Sequence, residues 1–310
     1  MNKFDLSGKV IIITGGTGVI GMAITKTLLD LGAKVVCCSA STDKAIAKAE
    51  ELDQTYDKNQ SIVIKVDVCE NVDVEYAIRT AIGEFGQVDG LINCAGGNRG
   101  KKSFLETTME DFQTLMDLNL YGAIRMSQAV AGQMLKQGTG GVIVNICSVA
   151  SQVALSGVTP YACAKSGLLA LTRQMAVDPQ LIEGDIRTNA VEPGFFPGEQ
   201  NREILALGDR GLRIKSNTPM GRYGLPEEIA SVVAFLCSPG ASFINGTCIN
   251  IDGGFLACGI CNAGGKIALD ITPNPTDDVT TLDGCPAVSP EAVPVSAHQA
   301  PQPGEISHVV

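Results

Sequence analysis

Tyr161-Ala-Cys-Ala-Lys165 sets a phenol four residues before an ammonium. In a helix that spacing puts both groups on one face. A nearby cation favours phenolate and moves a tyrosine towards a working acid/base range. Ser148, thirteen residues before Tyr161, supplies a hydroxyl, and Asn119 and Asn93 supply amides. Histidine is not available for this work, because the only two, His298 and His308, lie in the last thirteen residues. Ser-His-Asp and Cys-His catalysis and imidazole-based metal centres are therefore excluded unless that end folds back. Proton transfer falls to Tyr, Lys, Asp, Glu or Cys.

A second constellation lies near the start. Thr14-Gly15-Gly16-Thr17-Gly18-Val19-Ile20-Gly21 fits G-x-G-x-x-G with Gly16, Gly18 and Gly21. After a strand and before a helix, such a turn lets the backbone approach a pyrophosphate, and the helix offers its N-terminal amides and dipole to the charge. The next strand ends Cys38-Ser39-Ala40-Ser41, without the carboxylate that would hold a free ribose 2′-hydroxyl. Ser39 and Ser41 are candidate donors to a 2′-phosphate, so the cofactor expected is NAD or NADP, with a lean to NADP. Asp67, before Val68, is a candidate acceptor for the adenine amino group, or else a strand-end cap.

These groups need a frame. Val10–Thr14, Lys34–Cys38, Ile62–Val66, Gly90–Asn93, Val142–Ile146, Ile186–Val191 and Thr247–Ile251 are short apolar runs that read as strands buried on both faces. Between them lie helix-length segments at Gly21–Leu31, Asp43–Tyr56, Asp73–Phe85, Glu110–Lys136, Tyr161–Val177 and Pro226–Cys237. The alternation predicts an α/β fold, one doubly wound parallel sheet of Rossmann-like type with helices on both faces. Residues 1–261 form the expected catalytic domain. Residues 262–310 carry six acids against one base and half of the prolines, so they read as a disordered tail.

The 310 residues are 45% hydrophobic and 18% charged, ordinary globular usage with material for a large core. A formal charge of −10 removes any general electrostatic reason to bind nucleic acid or an anionic membrane. The first residues are polar and no apolar run approaches a membrane span, so a cytoplasmic protein is expected. Eleven scattered cysteines, most within apolar runs, read as buried free thiols of a reducing compartment. Cys258 and Cys261 form a CxxC without a second pair, a weak signal, and no metal is expected.

The ordered set of glycine turn, Asn93-Cys94-Ala95-Gly96, Asn119, Ser148, Tyr161-x-x-x-Lys165 and Pro193-Gly194 resembles the short-chain dehydrogenase/reductase family over residues 8–255. The resemblance implies that Tyr161 is the acid/base and that Ser148 orients the substrate carbonyl. It also implies that Lys165 holds the ribose and lowers the tyrosine pKa, and that Asn119 anchors a water in a proton relay. The cofactor residues it implies are Gly15, Gly16, Thr17, Gly18, Val19, Ile20, Gly21, Ser39, Asp67, Val68, Asn93, Ala95, Gly96, Tyr161, Lys165, Pro193 and Gly194. One departure is that Val19 stands where the family turn TGxxxGxG has its middle glycine. A homodimer or homotetramer is implied as well.

Within the family, the glycine turn, Ala95-Gly96-Gly97-Asn98, Pro193-Gly194-Phe195-Phe196, Glu199-Gln200-Asn201-Arg202 and Thr218-Pro219-Met220-Gly221-Arg222 look like the D-mannonate oxidoreductase (fructuronate reductase) branch. The strand end without an acid and the stretch 178–184 depart from it. Residues 199–222 hold Arg202, Arg210, Arg213, Lys215 and Arg222 against Glu199, Glu203 and Asp209, a positive island that suits an anionic substrate. Arg99, Lys101 and Lys102 add cations beyond the fourth strand. Arg202 is the expected carboxylate clamp, since a guanidinium binds a carboxylate with two parallel hydrogen bonds. Asn98, Phe195 and Phe196 are the other expected substrate residues. Oxidation or reduction of a sugar acid is thus the leading expectation. The alternatives are another ketone reductase of the family, of 3-oxoacyl or gluconate type, and a dinucleotide-sensing protein without catalysis.

Overall fold

The structure is a computed structural model that describes residues 2–98, 100–198 and 209–258. Seven strands form one sheet: β1 (Val10–Thr14), β2 (Lys34–Ser39), β3 (Ser61–Lys65), β4 (Gly90–Asn93), β5 (Gly141–Ile146), β6 (Ile186–Pro193) and β7 (Cys248–Ile251). Their order is β3-β2-β1-β4-β5-β6-β7, and every pairing is parallel. This is the doubly wound Rossmann-like sheet expected from the alternation, with strand bounds that move by at most two residues.

Helices cover both faces. On one, α1 (Val19–Asp30) and α9 (Pro226–Cys237) close over Ile11, Ile13, Val35, Val144 and Val191. On the other, α3 (Asn71–Phe85), α5 (Gly122–Gln137) and α6 (Thr159–Ala176) cover Val10, Ile12, Leu91, Ile143 and Ala190. Alternate residues of β1 thus serve opposite cores, because successive side chains of a strand point to opposite faces. Local chemistry sets the ends: Ser41 caps α2 (Thr42–Asp53) by accepting from the Lys44 amide, and Gly86 and Gly138 end α3 and α5 in left-handed conformation.

The single long helix expected over Glu110–Lys136 is instead three pieces. α4 (Met109–Met116) begins on a Thr108–Asp111 capping box, a π-helical turn follows at Asp117–Tyr121, and α5 continues from Gly122. Periodicity alone cannot show one inserted residue in an apolar helix, yet π-turns concentrate at functional sites. Two short helices, α7 (Pro179–Glu183) and α8 (Asp209–Ser216), were not foreseen. α7 is announced by an Asp178 cap whose carboxylate accepts from two amides, with Pro179 in the first turn.

Among the described residues no helix is long and apolar enough to cross a membrane, and no cluster of His, Cys, Asp or Glu is placed to hold a metal ion. The nine described cysteines are free thiols. The segment 262–310, expected to be a disordered tail, lies outside the described residues.

Candidate active site

The carboxyl ends of β1, β4, β5 and β6 meet along one edge of the sheet. Strand order runs outward in opposite directions from β1 and β4, and open α/β sheets bind ligands at such a reversal. Thr14 joins the two strands there. Its hydroxyl accepts from the Cys94 amide at 3.1 Å and the Ala95 amide at 3.0 Å, which draws the glycine turn against the end of β4.

The glycines of that turn divide by role. Gly15 has a φ of +63°, and a Cβ on it would stand 2.8 Å from the Ala95 Cα. A Cβ on Gly16 would stand 2.5 Å from the Cys37 sulfur, and one on Gly21 would collide with the Gly15 carbonyl oxygen. These three are required by packing. Gly18 is different: a Cβ there would meet nothing nearer than the Gly15 carbonyl at 3.4 Å, and its φ of −74° suits any residue. It caps α1, where the first helical amides have no partner within the helix. The open space at Gly18 therefore faces the positive end of a twelve-residue helix, a fit for a pyrophosphate. Val19 is partly exposed at the first turn, Ile20 packs against the core, and Thr17 donates to Ser39 Oγ at 2.9 Å.

Ser39 is buried, and its own proton goes to the Ser41 carbonyl at 3.0 Å. Asp67 accepts from the Cys69 amide at 3.0 Å, which is the turn-capping use of a strand-end aspartate, and Val68 is buried against Gly122.

The chemical groups come from β5, the π-turn and α6. Ser148 follows β5; its oxygen accepts from the Ala150 amide at 3.2 Å, and its hydroxyl hydrogen has no acceptor among the described residues. Tyr161 lies in the first turn of α6, half-buried. Lys165 is 3% exposed; its ammonium lies 5.8 Å from the Tyr161 ring centre and donates to the Ile146 carbonyl at 2.8 Å. The same ammonium would be 3.2 Å from a Cβ on Gly96, so Gly96 keeps space open beside it. Asn119, from the π-turn, accepts from the Gly97 amide at 2.9 Å and donates to the Gly97 and Leu115 carbonyls, each at 3.0 Å. Its side chain holds the loop after β4, so a water anchored there would need its main-chain carbonyl.

Burial pushes the Cys94 thiol up to about 11 and the Cys147 thiol up to about 12, against the pull of the Lys165 charge in both cases. Cys94 and Cys147 are therefore neutral thiols at physiological pH.

Beneath these groups Asn93 donates to Ser127 and Asn145, and Asn145 donates to Thr172, each at 2.9 Å. This buried chain ties β4 and β5 to α5 and α6, so Asn93 acts as a brace under the site. Pro193-Gly194 closes the far side: the Gly194 amide donates to the Ile251 carbonyl at 2.9 Å, and a Cβ on it would stand 2.8 Å from the Asp252 Cα.

Of the expected substrate residues, Asn98 is half-buried and bonds the Gly100 carbonyl, while Phe195 packs edge-on against Phe255 with centroids 5.2 Å apart. Phe196 is only 6% exposed, within the core and against Gly224, and presents little surface to a ligand. Arg202 and Arg99 lie outside the described residues. Lys102 is paired with Asp111 at 2.7 Å, and Arg222 is held by both Glu228 oxygens at 2.6 and 2.9 Å. Sequence reasoning missed Thr14, the Ile146 carbonyl and the Asn145 chain. A Thr closing a strand directly before a glycine run is a readable signal for the first, whereas a backbone carbonyl carries none.

A family model described as enoyl-(acyl carrier protein) reductase matches residues 16–256. A tropinone reductase homologue of Arabidopsis thaliana is 36% identical over 265 residues, covering 84% of this chain and 97% of its own. A 2-dehydro-3-deoxy-D-gluconate 5-dehydrogenase of Dickeya dadantii is 31% identical over 258 residues, covering 83% and 99%. The crystal structure of a gluconate 5-dehydrogenase from Burkholderia cenocepacia, in complex with NADP and tartrate, superposes with a TM-score of 0.77 at 31% identity, covering 83% and 99%.

Proposed function

Because the chain belongs to the short-chain dehydrogenase/reductase family and is an NAD(P)-dependent oxidoreductase acting on CH–OH groups, we propose that its substrate is a sugar acid. The observation that carries the reading is Lys165, set beside the Tyr161 ring and Gly96 and bonded to the Ile146 carbonyl two residues before Ser148, with an open helix N-terminus at Gly18 after β1.

The bound dinucleotide would supply the hydride acceptor for an alcohol or the hydride donor for a ketone. Gly15, Gly16, Thr17, Gly18, Val19, Ile20 and Gly21 would hold its pyrophosphate, with Ala95, Gly96, Pro193 and Gly194 along the nicotinamide side. Lys165 keeps two ammonium hydrogens beyond the one given to Ile146, enough to hold a ribose hydroxyl, and its charge favours the Tyr161 phenolate. In oxidation the phenolate oxygen takes the alcohol proton; in reduction the phenol gives it to the carbonyl oxygen. Ser148 gives its free hydrogen to that same oxygen, because its acceptor side is occupied by Ala150. NADP is favoured over NAD, since residues 39–41 at the end of β2 carry no acid to repel a 2′-phosphate. Asp67 serves as a strand-end cap, with the adenine contact as its second role.

Two sugar acids fit. The motifs of the glycine turn, Phe195-Phe196 and Thr218–Arg222 favour the D-mannonate/D-fructuronate pair, whereas the names of the relatives from Dickeya dadantii and Burkholderia cenocepacia favour a gluconate-type substrate. Both carry a carboxylate several carbons from the reacting centre. Exposed Phe104 and Leu105, in the short turn before α4, and exposed Met109, its first residue, support the proposal of a homo-oligomer, which light scattering tests. Steady-state rates with a panel of aldonates, uronates and neutral ketones, with NADPH and NADH, test the substrate. Turnover confined to neutral ketones would refute the sugar-acid reading.

A further inference from the structure

We propose that Glu192 is a positioning residue: through Gln152 it fixes the turn that presents the Ser148 hydroxyl, an inference that rests on the role given to Ser148 and holds for any substrate. Glu192 is the last residue of β6 before Pro193-Gly194. Side chains alternate along a strand, so it shares the α6 face with Ala190, while Val191 enters the opposite core. The Cys147 amide donates to the Val191 carbonyl at 2.8 Å, which sets the end of β5, and with it Ser148, beside Glu192. Glu192 is wholly buried. Its Oε2 accepts from the Gln152 amide nitrogen, whereas Oε1 has no N–H or O–H donor among the described residues. The Cys248 thiol beside the carboxylate is a weak donor.

The turn that Glu192 holds is one turn of 3-10 helix, Val149–Ser151, with Ser148 capping its start and Gln152 its end. The Ser151 amide donates to the Ser148 carbonyl at 2.8 Å and the Gln152 amide to the Val149 carbonyl at 3.1 Å, so its two ends move as one unit. Side chains secure it from two sides. Ser166, next to Lys165 on α6, donates to the Ser151 carbonyl at 3.1 Å. Glu192 holds Gln152 from β6, and Asn250 Oδ1 adds a longer contact at 3.4 Å. The turn is thus tied to the helix that carries Tyr161 and Lys165 and to the strand that leads into Pro193-Gly194. Stability does not call for this carboxylate. A buried carboxylate with an unpartnered oxygen costs free energy that an apolar side chain of similar volume would avoid. What it adds is a charge-assisted bond to Gln152, an exposed residue, at the far end of a turn whose first residue keeps a free hydroxyl hydrogen.

Rates are read on the full chain with the acid and the neutral ketone that the wild type turns over fastest, beginning with D-gluconate and NADP and with 2,3-butanedione and NADPH. Tm and dinucleotide Kd are measured alongside. Glu192→Leu removes the acceptor and Gln152→Ala the donor, and each should lower kcat about tenfold or more, since misplacing a reacting group by about 1 Å can cost on the order of a hundredfold. The two losses should not add, because both remove one bond. Glu192→Gln, which keeps an acceptor oxygen in the same shape, should retain most of kcat. Tm in Glu192→Leu should hold or rise, and dinucleotide Kd should hold in every variant. In a Ser148→Ala background neither change should slow the residual rate further. A wild-type kcat in Gln152→Ala, additive losses, or the same fold loss with and without the Ser148 hydroxyl would overturn the proposal. If Glu192→Leu does not fold, Gln152→Ala, at an exposed position, carries the same comparison alone. Failure of the underlying readings looks different. A wild-type kcat in Ser148→Ala removes the role of Ser148 and this proposal with it, whereas turnover of the ketone alone refutes the sugar-acid reading and leaves the proposal standing.

Discussion

Gly18→Ala separates cofactor binding from folding more cleanly than any change to the catalytic groups. At the N-cap of α1 an alanine is less favourable than glycine by roughly 0.5–1 kcal/mol, and the reduced freedom of the unfolded chain returns about 0.4–1 kcal/mol. The added methyl meets only the Gly15 carbonyl at 3.4 Å, an ordinary contact. Stability should therefore stay within about 1 kcal/mol, or about 2–4 °C in Tm for a domain of this size. The same methyl stands where a pyrophosphate must approach the α1 amides. Losing one charge-assisted hydrogen bond costs about 2 kcal/mol, a Kd for NADPH roughly thirtyfold weaker. Gly21→Ala is the contrast, because its methyl would stand 2.8 Å from the Gly16 Cα as well as colliding with the Gly15 carbonyl. That overpacking costs about 1–3 kcal/mol and lowers Tm whatever happens to binding. Thermal denaturation and NADPH fluorescence titration on the two variants decide the matter. A wild-type Kd in Gly18→Ala, or a loss of Tm equal to that of Gly21→Ala, would show that Gly18 serves packing and not the ligand.

Tyr161→Phe should abolish turnover while dinucleotide affinity stays near wild type; more than a few per cent of residual kcat removes the acid/base assignment. Lys165→Met should lower kcat and weaken dinucleotide binding together, since one ammonium serves phenol and ribose, and an effect on neither takes it out of the site. Thr14→Val removes an oxygen that satisfies the Cys94 and Ala95 amides and should cost about 2 kcal/mol, a fall in Tm of roughly 4–8 °C; an unchanged Tm would mean that these amides find other partners. Deleting residues 262–310, an acidic and proline-rich segment by composition, should leave turnover and Tm unchanged, and loss of either by activity assay or calorimetry refutes the disordered-tail reading.

What was legible in the sequence depends on how local its cause is. The strands could be read because a buried parallel strand must be a short apolar run, and Val10–Thr14 and Gly90–Asn93 match residue for residue. Tyr161, Lys165 and Ser148 were readable because helical spacing and strand ends carry their geometry. The π-turn at Asp117–Tyr121 was not, since one extra residue leaves the apolar pattern of residues 110–136 nearly unchanged, and only tertiary contacts place Asn119 against Gly97. The cations show the same division. Composition located the positive stretch after residue 199, but only the fold reveals that Glu228 occupies Arg222 and Asp111 occupies Lys102.

The division has a consequence for specificity. The proposed catalytic groups stand on bonds within the end of the sheet: Lys165 donates to the Ile146 carbonyl, Asn119 holds the Gly97 backbone, and Thr14 accepts from the amides after β4. None of these bonds involves a substrate, so the proton machinery can stay fixed while the molecule it acts on changes. The cations Lys101, Lys102, Arg210 and Arg222 take no part in these bonds. Relatives named for a tropinone reductase and for a gluconate dehydrogenase can thus share this sheet edge at 31–36% identity. Fold and catalytic set identify the reaction class, and substrate choice must be argued from the charged groups placed around it. Substitutions in that outer layer should accordingly move KM between acid and neutral substrates, while those in the inner layer should move kcat for all of them alike.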